Sequence, residues 1–197
     1  MVTVTGPATE DEMVAIFLLA ELDSPKYAEG LKGALLAHDV GVELVRHADT
    51  NDQDANRLRR EILTTHRGWG ELQSLFGGLP IEDVEWMWMD LDEEDLRTRV
   101  FTIDYYFQES LGTRNLNEIG AMKRREDPES VRPILESVRV GEMPEPPILL
   151  TDKSMERLVI LEGHNRMIAY ATEPKVVPFP IRAILGMSAR ISEWSEW

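Results

Sequence analysis

A chain of 197 residues with 43% hydrophobic content is long enough to bury a core, either as one domain or as two small ones. Its formal net charge of -15 repels a polyanion unless a basic patch is strongly segregated, which argues against nucleic-acid binding. There is no Cys, so a disulfide framework, a thiolate metal site and a nucleophilic thiol are all excluded.

The opening residues, Met1 to Gly6, carry neither the basic flank nor the long apolar core of a secretion signal, and no later run approaches the ~20 apolar residues of a membrane span. A cytoplasmic protein without membrane contact is the expectation. Thr9-Glu10-Asp11-Glu12 has the form of a capping box, and Met13, Ile16, Phe17, Leu19, Ala20 and Leu22 then recur at helical spacing. Glu21, among those apolar neighbours, is either an ordinary boundary residue or a buried polar one. Ser24-Pro25 has the chemistry of a second helix start, with Tyr27, Leu31, Leu35 and Leu36 on its buried side.

Asp49 to Asp52 forms a turn and cap cluster leading into a charged surface helix over Ala55–His66, whose apolar positions are Leu58, Ile62 and Leu63. His66-Arg67-Gly68-Trp69-Gly70 follows. It reads either as a helix C-cap at Gly68 with Trp69 anchoring the loop, or as substrate-binding residues His66 and Arg67 on a tight backbone. Val84 to Met89 is a strand or a short aromatic helix. The acidic residues from Glu82 to Asp95 lack the Gly and closing Glu of a calcium loop and suit a solvated face. Leu96–Phe107 leans to helix through Phe101, Tyr105 and Leu111. The polar turn after it, Ser110 to Asn115, offers Thr113 and Arg114 to a phosphate, or else caps the next helix through Asn115 or Asn117. Glu118 is then a base or a helical partner of Arg114.

Lys123-Arg124-Arg125, the one basic cluster, is followed at once by Glu126 and Asp127 and fits a solvated helix end. A helix over Ser130–Val138 ends at Gly141, and Pro144, Pro146 and Pro147 stiffen the approach to a strand at Ile148–Leu150. Leu158–Leu161 is a second apolar strand, Met167–Ala171 the apolar start of a helix, and Ile181–Leu185 a third strand. Between the second strand and its helix lies Glu162-Gly163-His164-Asn165-Arg166. A Gly at such a switch lets backbone approach a ligand, a helix N-terminus offers N–H donors and a positive dipole end, and Arg166 adds a planar donor fork. These features together predict a phosphate or carboxylate cradle.

Glu-Gly-His-Asn-Arg, with small and apolar helix residues after it, resembles the Gly-His-His-Arg or Gly-Glu-Arg-Arg box of the ParB/sulfiredoxin superfamily. Gly141 to Leu150 is similar to the Gly-x-x-x-Pro-Ile segment that precedes the box there, and the resemblance spans roughly residues 129–185. Asn165 stands where many members have Arg or His. The resemblance implies that Gly163, His164, Asn165 and Arg166 hold nucleotide phosphates, and the missing Cys rules out sulfiredoxin chemistry. The superfamily includes ATP- or ADP-dependent kinases acting on free serine, and these are similar in having an acidic residue before Gly-His-x-Arg.

The expected architecture is α+β: a helical N-terminal region, residues 1–100, packed on a small mixed-sheet ParB-like unit over 101–197. No Pro/Gly/Ser linker divides the two, so they can form one continuous body. Three functions compete. The first is nucleotide-dependent phosphotransfer or hydrolysis on a small molecule, with Glu162, His164 and Glu118 as catalytic candidates, ATP or ADP as cofactor, and Glu162 on Mg²⁺. The second is a non-catalytic ligand-binding or interaction module. The third is a DNA-associated CTPase or nuclease, which lacks the helix-turn-helix that follows the box in partition proteins. His38, His47 and His66 show no ligand spacing with His164, so any divalent ion would be oxygen-bound Mg²⁺ arriving with the nucleotide. Composition does not predict the oligomeric state.

Overall fold

The apolar runs flanking the central turn become inner strands of one mixed sheet. The structure, a computed structural model, describes residues 2–71, 74–103, 108, 110, 112–126, 129 and 131–197. Strands β1 (Thr3–Pro7), β2 (Glu85–Leu91), β3 (Val100–Phe101), β4 (Ile148–Thr151), β5 (Leu158–Glu162) and β6 (Ile181–Met187) lie in the order β1-β2-β6-β4-β5-β3. β2 runs antiparallel to both β1 and β6, and β4 antiparallel to β5. The β4–β6 and β3–β5 pairs are parallel. All of β4 and Leu158 to Leu161 of β5 are buried. Strands covered on both faces carry unbroken apolar runs, which is why these two stood out in the sequence.

The covering layers follow from strand parity. Trp86, Ile148, Leu150, Val159, Leu161 and Ile184 pack in one core with helices α1 (Glu10–Leu22), α2 (Ala28–Ala37), α3 (Glu43–Arg46) and α4 (Gln53–Arg67). Their strand neighbours Met89, Leu91, Leu149, Leu158, Ile160, Ala183 and Leu185 pack in a second core with α5 (Glu93–Thr98), α6 (Leu116–Glu126), α7 (Arg132–Arg139) and α8 (His164–Thr172). The chain is thus α+β, its mixed sheet lying between two helical layers. Residues 1–100 supply β1 and β2 as well as helices, so the sheet is continuous across the expected boundary at residue 100. No helix among the described residues is long and apolar enough to cross a membrane.

Local chemistry explains several helix ends. The Thr9 hydroxyl accepts from the Glu12 N–H at 3.1 Å while Glu12 Oε2 accepts from the Thr9 N–H at 2.8 Å, completing the capping box. Asp52 caps α4, accepting from the amides of Asp54 and Ala55 at 3.0 Å each, and Gly68 ends it with φ +75°.

Several expectations change. The second helix begins at Ala28, three residues past Pro25, and Leu36 is 77% exposed because it falls on the outer face. α4 is not a simple surface helix: Ile62 and Leu63 are buried, and so are Asn56 and Arg59, whose polar groups hold the preceding loop through the carbonyls of Thr50, Leu44 and Asp49. Of Val84–Met89, all but Val84 lie in β2. Of Leu96–Phe107, α5 ends at Thr98 and Val100–Phe101 form β3, while residues 104–107 and Leu111 lie outside the described residues. Pro128 and Ser130, in the expected start of the next helix, also lie outside them, and that helix runs over Arg132–Arg139. The C-terminal residues pack back on the body: Trp194 is buried and its indole N–H donates to the Leu75 carbonyl at 2.8 Å.

Candidate functional site

β5 delivers Glu162 at its last position, Gly163 turns the chain with φ +99°, and α8 begins at His164. The first bond of the helix runs from the Met167 N–H to the Gly163 carbonyl at 2.9 Å. The amides of residues 164–166 therefore point out of the helix end, with the positive pole of the helix behind them. The positive φ suits Gly, and space demands it as well. A Cβ at this position would lie 3.0 Å from Arg166 Nη2 and 3.2 Å from Pro147 Cβ.

Arg166 folds back over this turn. It is 8% exposed, donating through Nη1 to the Glu145 carbonyl at 2.5 Å and through Nη2 to Glu162 Oε1 at 3.2 Å. Burial pushes the Glu162 carboxyl above its usual range; the Arg166 cation opposes that shift, Glu21 reinforces it, and Arg67 opposes it. The His164 imidazole, whose Nε2 is sealed from solvent, is pushed down to about 3 by burial and then by the positive charges of Arg166, Arg67 and Lys26. It is neutral at physiological pH. Asn165 is exposed at the surface of the turn.

Charged residues from the N-terminal third of the chain act on this turn electrostatically. Glu21, at the end of α1, is fully buried, with Oε2 2.7 Å from His66 Nε2 and Oε1 accepting from Arg67 Nη1 at 2.5 Å. The His66 ring packs against Gly30 of α2, where a Cβ would come within 3.1 Å of its Cε1. The Arg67 guanidinium lies over the Tyr27 ring at 4.2 Å, an arrangement that fixes the plane of the cation. The two residues read from the sequence as substrate-binding, His66 and Arg67, are thus carried on the last turn of α4 in the helical layer over β5, whose Val159 and Leu161 share a core with Phe17 and Leu18 of α1. Arg166, Arg67 and Lys26 bear on His164, and Arg166, Glu21 and Arg67 on Glu162.

The second polar turn is organised differently. Arg114, held at φ +59°, sends Nε to the Thr102 carbonyl at 2.8 Å and Nη1 to the Trp197 carbonyl at 2.9 Å, and its other terminal nitrogen to the Glu196 carbonyl. Its guanidinium therefore ties the C-terminal residues to the end of β3. The Thr113 hydroxyl lies 2.5 Å from Glu118 Oε2, while Asn115 Oδ1 accepts from the Asn117 N–H at 2.9 Å and caps α6. Thr113, Arg114 and Glu118 build a helix start and a C-terminal anchor, whereas Glu162, His164 and Arg166 share the β5–α8 turn and Arg67 acts on it through its charge.

Sequence reasoning left Glu21 open, read Tyr27 only as a buried-side helix residue and did not single out Lys26. The available signal was a carboxylate inside an otherwise apolar helix, which folding tolerates only beside cations. Among the described residues no group of three or more His, Asp or Glu is placed to hold a metal ion. Two surface pockets, of about 230 and 350 Å³, lie elsewhere, one at the far end of α8 by Arg132 and Thr172 and the other by Asp11 and Arg60. No protein-family model matches the chain, and no curated protein or solved structure matches it either.

Proposed function

We propose that this protein binds a nucleotide, ATP or ADP, through its phosphates at the β5–α8 turn and uses it in phosphoryl transfer to, or hydrolysis on, a small molecule. The observation that carries this reading is the charge placement. In a chain of formal charge -15, the positive charges of Arg166, Arg67 and Lys26 act on His164 at a helix N-terminus entered through a glycine at φ +99°. Phosphoryl transfer requires positioning and charge neutralisation more than exotic groups. The amides of His164 and Asn165 and the Arg166 fork supply the first requirement. Glu162, its carboxyl raised by burial, is the group at the turn suited to accept a proton from an acceptor hydroxyl, and neutral His164 supplies a hydrogen bond without adding charge. Mg²⁺ brought by the nucleotide would neutralise phosphoryl oxygens. The turn offers it one carboxylate, Glu162, so phosphate oxygens would have to provide most of its ligands.

A second reading is a ligand-binding module without turnover. It is favoured by the Arg166 fork itself, which already spans the Glu145 carbonyl and Glu162. Thermal melts with ATP, ADP, CTP and GTP, each with Mg²⁺, followed by assay of nucleotide consumption, separate the possibilities. Stabilisation by ATP or ADP is expected, about 2.7 kcal/mol at a hundredfold excess over Kd. Stabilisation without turnover supports the module, CTP selectivity a DNA-associated CTPase, and no response to any of the four would sink the nucleotide reading.

A further inference from the structure

The cavity at the far end of α8 takes no part in the site at the β5–α8 turn. It has a volume of about 230 Å³ and is lined from the last turn of α6, from α7 and from the end of α8. Arg132, Leu135, Glu136 and Arg139 share one face of α7 by their spacing, and the buried Val131 and Leu135 form an apolar wall. Lys123 and Arg124 come from α6 and Glu173 from the end of α8. Acids outnumber Lys and Arg by 36 to 21 over the whole chain, whereas the described residues around this cavity reverse the balance, with four cations to two carboxylates. Two of those cations are held in place. Lys123-Arg124-Arg125 reads from the sequence as a solvated helix end, yet Arg124 donates through Nε to the Thr172 carbonyl at 2.6 Å and through Nη2 to the Ala171 carbonyl at 3.1 Å. Those carbonyls are the negative dipole end of α8, which would repel an anion if the guanidinium did not cover it. Arg139 donates through Nη2 to Glu173 Oε2 at 2.6 Å, so one of the two carboxylates is already engaged.

We propose that this α6–α7–α8 cavity binds a small organic dianion, a short dicarboxylate or a phosphate monoester, at a site separate from the β5–α8 turn. The formal excess of two positive charges among the described lining residues matches the charge of the ligand. Guanidinium groups suit carboxylate and phosphoryl oxygens alike, and Val131 and Leu135 give a carbon body an apolar surface. Volume limits the size: about 230 Å³ is the share of roughly eight liquid waters, room for a short diacid or a three-carbon phosphate ester and too little for a nucleotide. The nine residues of α8 put its two ends about 12 Å apart at the usual helical rise. The proposal therefore stands whatever the turn binds.

The test titrates ¹⁵N-labelled protein with succinate and, separately, with glycerol 3-phosphate, the ionic strength being held constant with chloride. At least one of them should give saturable shifts at the amides of Arg124, Leu135, Arg139 and Glu173, and the tighter binder identifies the carboxylate or the phosphoryl source. Arg132 and Arg139 are exposed, so the double substitution Arg132→Gln/Arg139→Gln should keep the wild-type melting temperature while weakening that binding at least about tenfold, the range of one lost charge-assisted contact. Glu136→Gln removes a like charge from the cavity and should tighten binding a few-fold. Arg57→Gln, in the other pocket by Asp11, should change nothing. Failure of both anions to saturate at tens of millimolar overturns the proposal. So does an affinity that ignores the double substitution, or one that Arg57→Gln lowers equally, since either marks a diffuse attraction to surface charge. Saturable shifts confined to residues 163–166 place the anion on the turn and overturn it as well.

Discussion

Arg166 is at once a candidate ligand group and a structural one. Its fork bonds the Glu145 carbonyl and Glu162, and its guanidinium lies over Gly163. Arg166→Ala should therefore lower stability by about 1–3 kcal/mol, because a nearly buried carboxylate loses its partner, and should also weaken nucleotide binding ten- to hundredfold. Arg166→Lys separates the two effects: it retains a charge for Glu162 but not the planar fork, so a binding defect at near wild-type melting temperature is expected. His164 offers an independent check. Its folded pKa of about 3 lies below the ordinary 6.5. As pH falls from 6.5 the unfolded chain takes up a proton that the folded protein refuses, so stability declines toward pH 3. His164→Gln should show a shallower decline between about pH 6.5 and 5 in denaturant melts. Parallel slopes for the two proteins would contradict the buried neutral imidazole.

At the scale of elements, close approaches decide the outcome. Gly120 of α6 lies against α8 so tightly that a Cβ would sit 2.6 Å from the Ala171 carbonyl carbon and oxygen. Gly120→Ala should push the helices apart at a cost of about 1–3 kcal/mol. Gly33 of α2 has open space around its Cβ position, so Gly33→Ala should be neutral or stabilise by up to about 1 kcal/mol. Urea melts of the two variants, compared with wild type, check both. The same elements show what a sequence can reveal. β4 and β5 were legible because strands buried on both faces collect unbroken runs of Ile, Leu and Val, and β6 because Ile181, Ile184 and Leu185 keep it mostly apolar despite the exposed Arg182. β1 was missed although Val2-Thr3-Val4-Thr5 alternates, since the pattern is short, ends at Gly6-Pro7 and belongs to an edge strand exposed along most of its length. β2 was ambiguous because Trp and Met suit strand and helix alike. Its pairing with β6, Glu85 against Met187 through Leu91 against Ile181, joins segments that no local pattern connects.

For the whole molecule, the central turn was legible as a motif, while its surroundings were not. That Glu21 and Arg67 act on Glu162 depends on α1 and α4 covering the same face of the sheet, a tertiary arrangement that periodicity does not encode. The polar turn at Thr113 and Arg114 looked equivalent in the sequence, yet its guanidinium is committed to the C-terminal carbonyls. The global charge makes a further prediction. With a formal charge of -15, duplex DNA should bind more weakly than ~10⁻⁴ M at physiological salt, and a salt-sensitive micromolar gel shift would reverse that expectation. The central claim, that nucleotide phosphates sit on the β5–α8 turn, is tested most directly by titrating ¹⁵N-labelled protein with ADP and Mg²⁺. The account predicts saturable shifts largest at the amides of Gly163, His164, Asn165 and Arg166, with smaller ones at His66 and Arg67. Saturable binding that leaves those amides unmoved, or no binding at millimolar ADP, would contradict it.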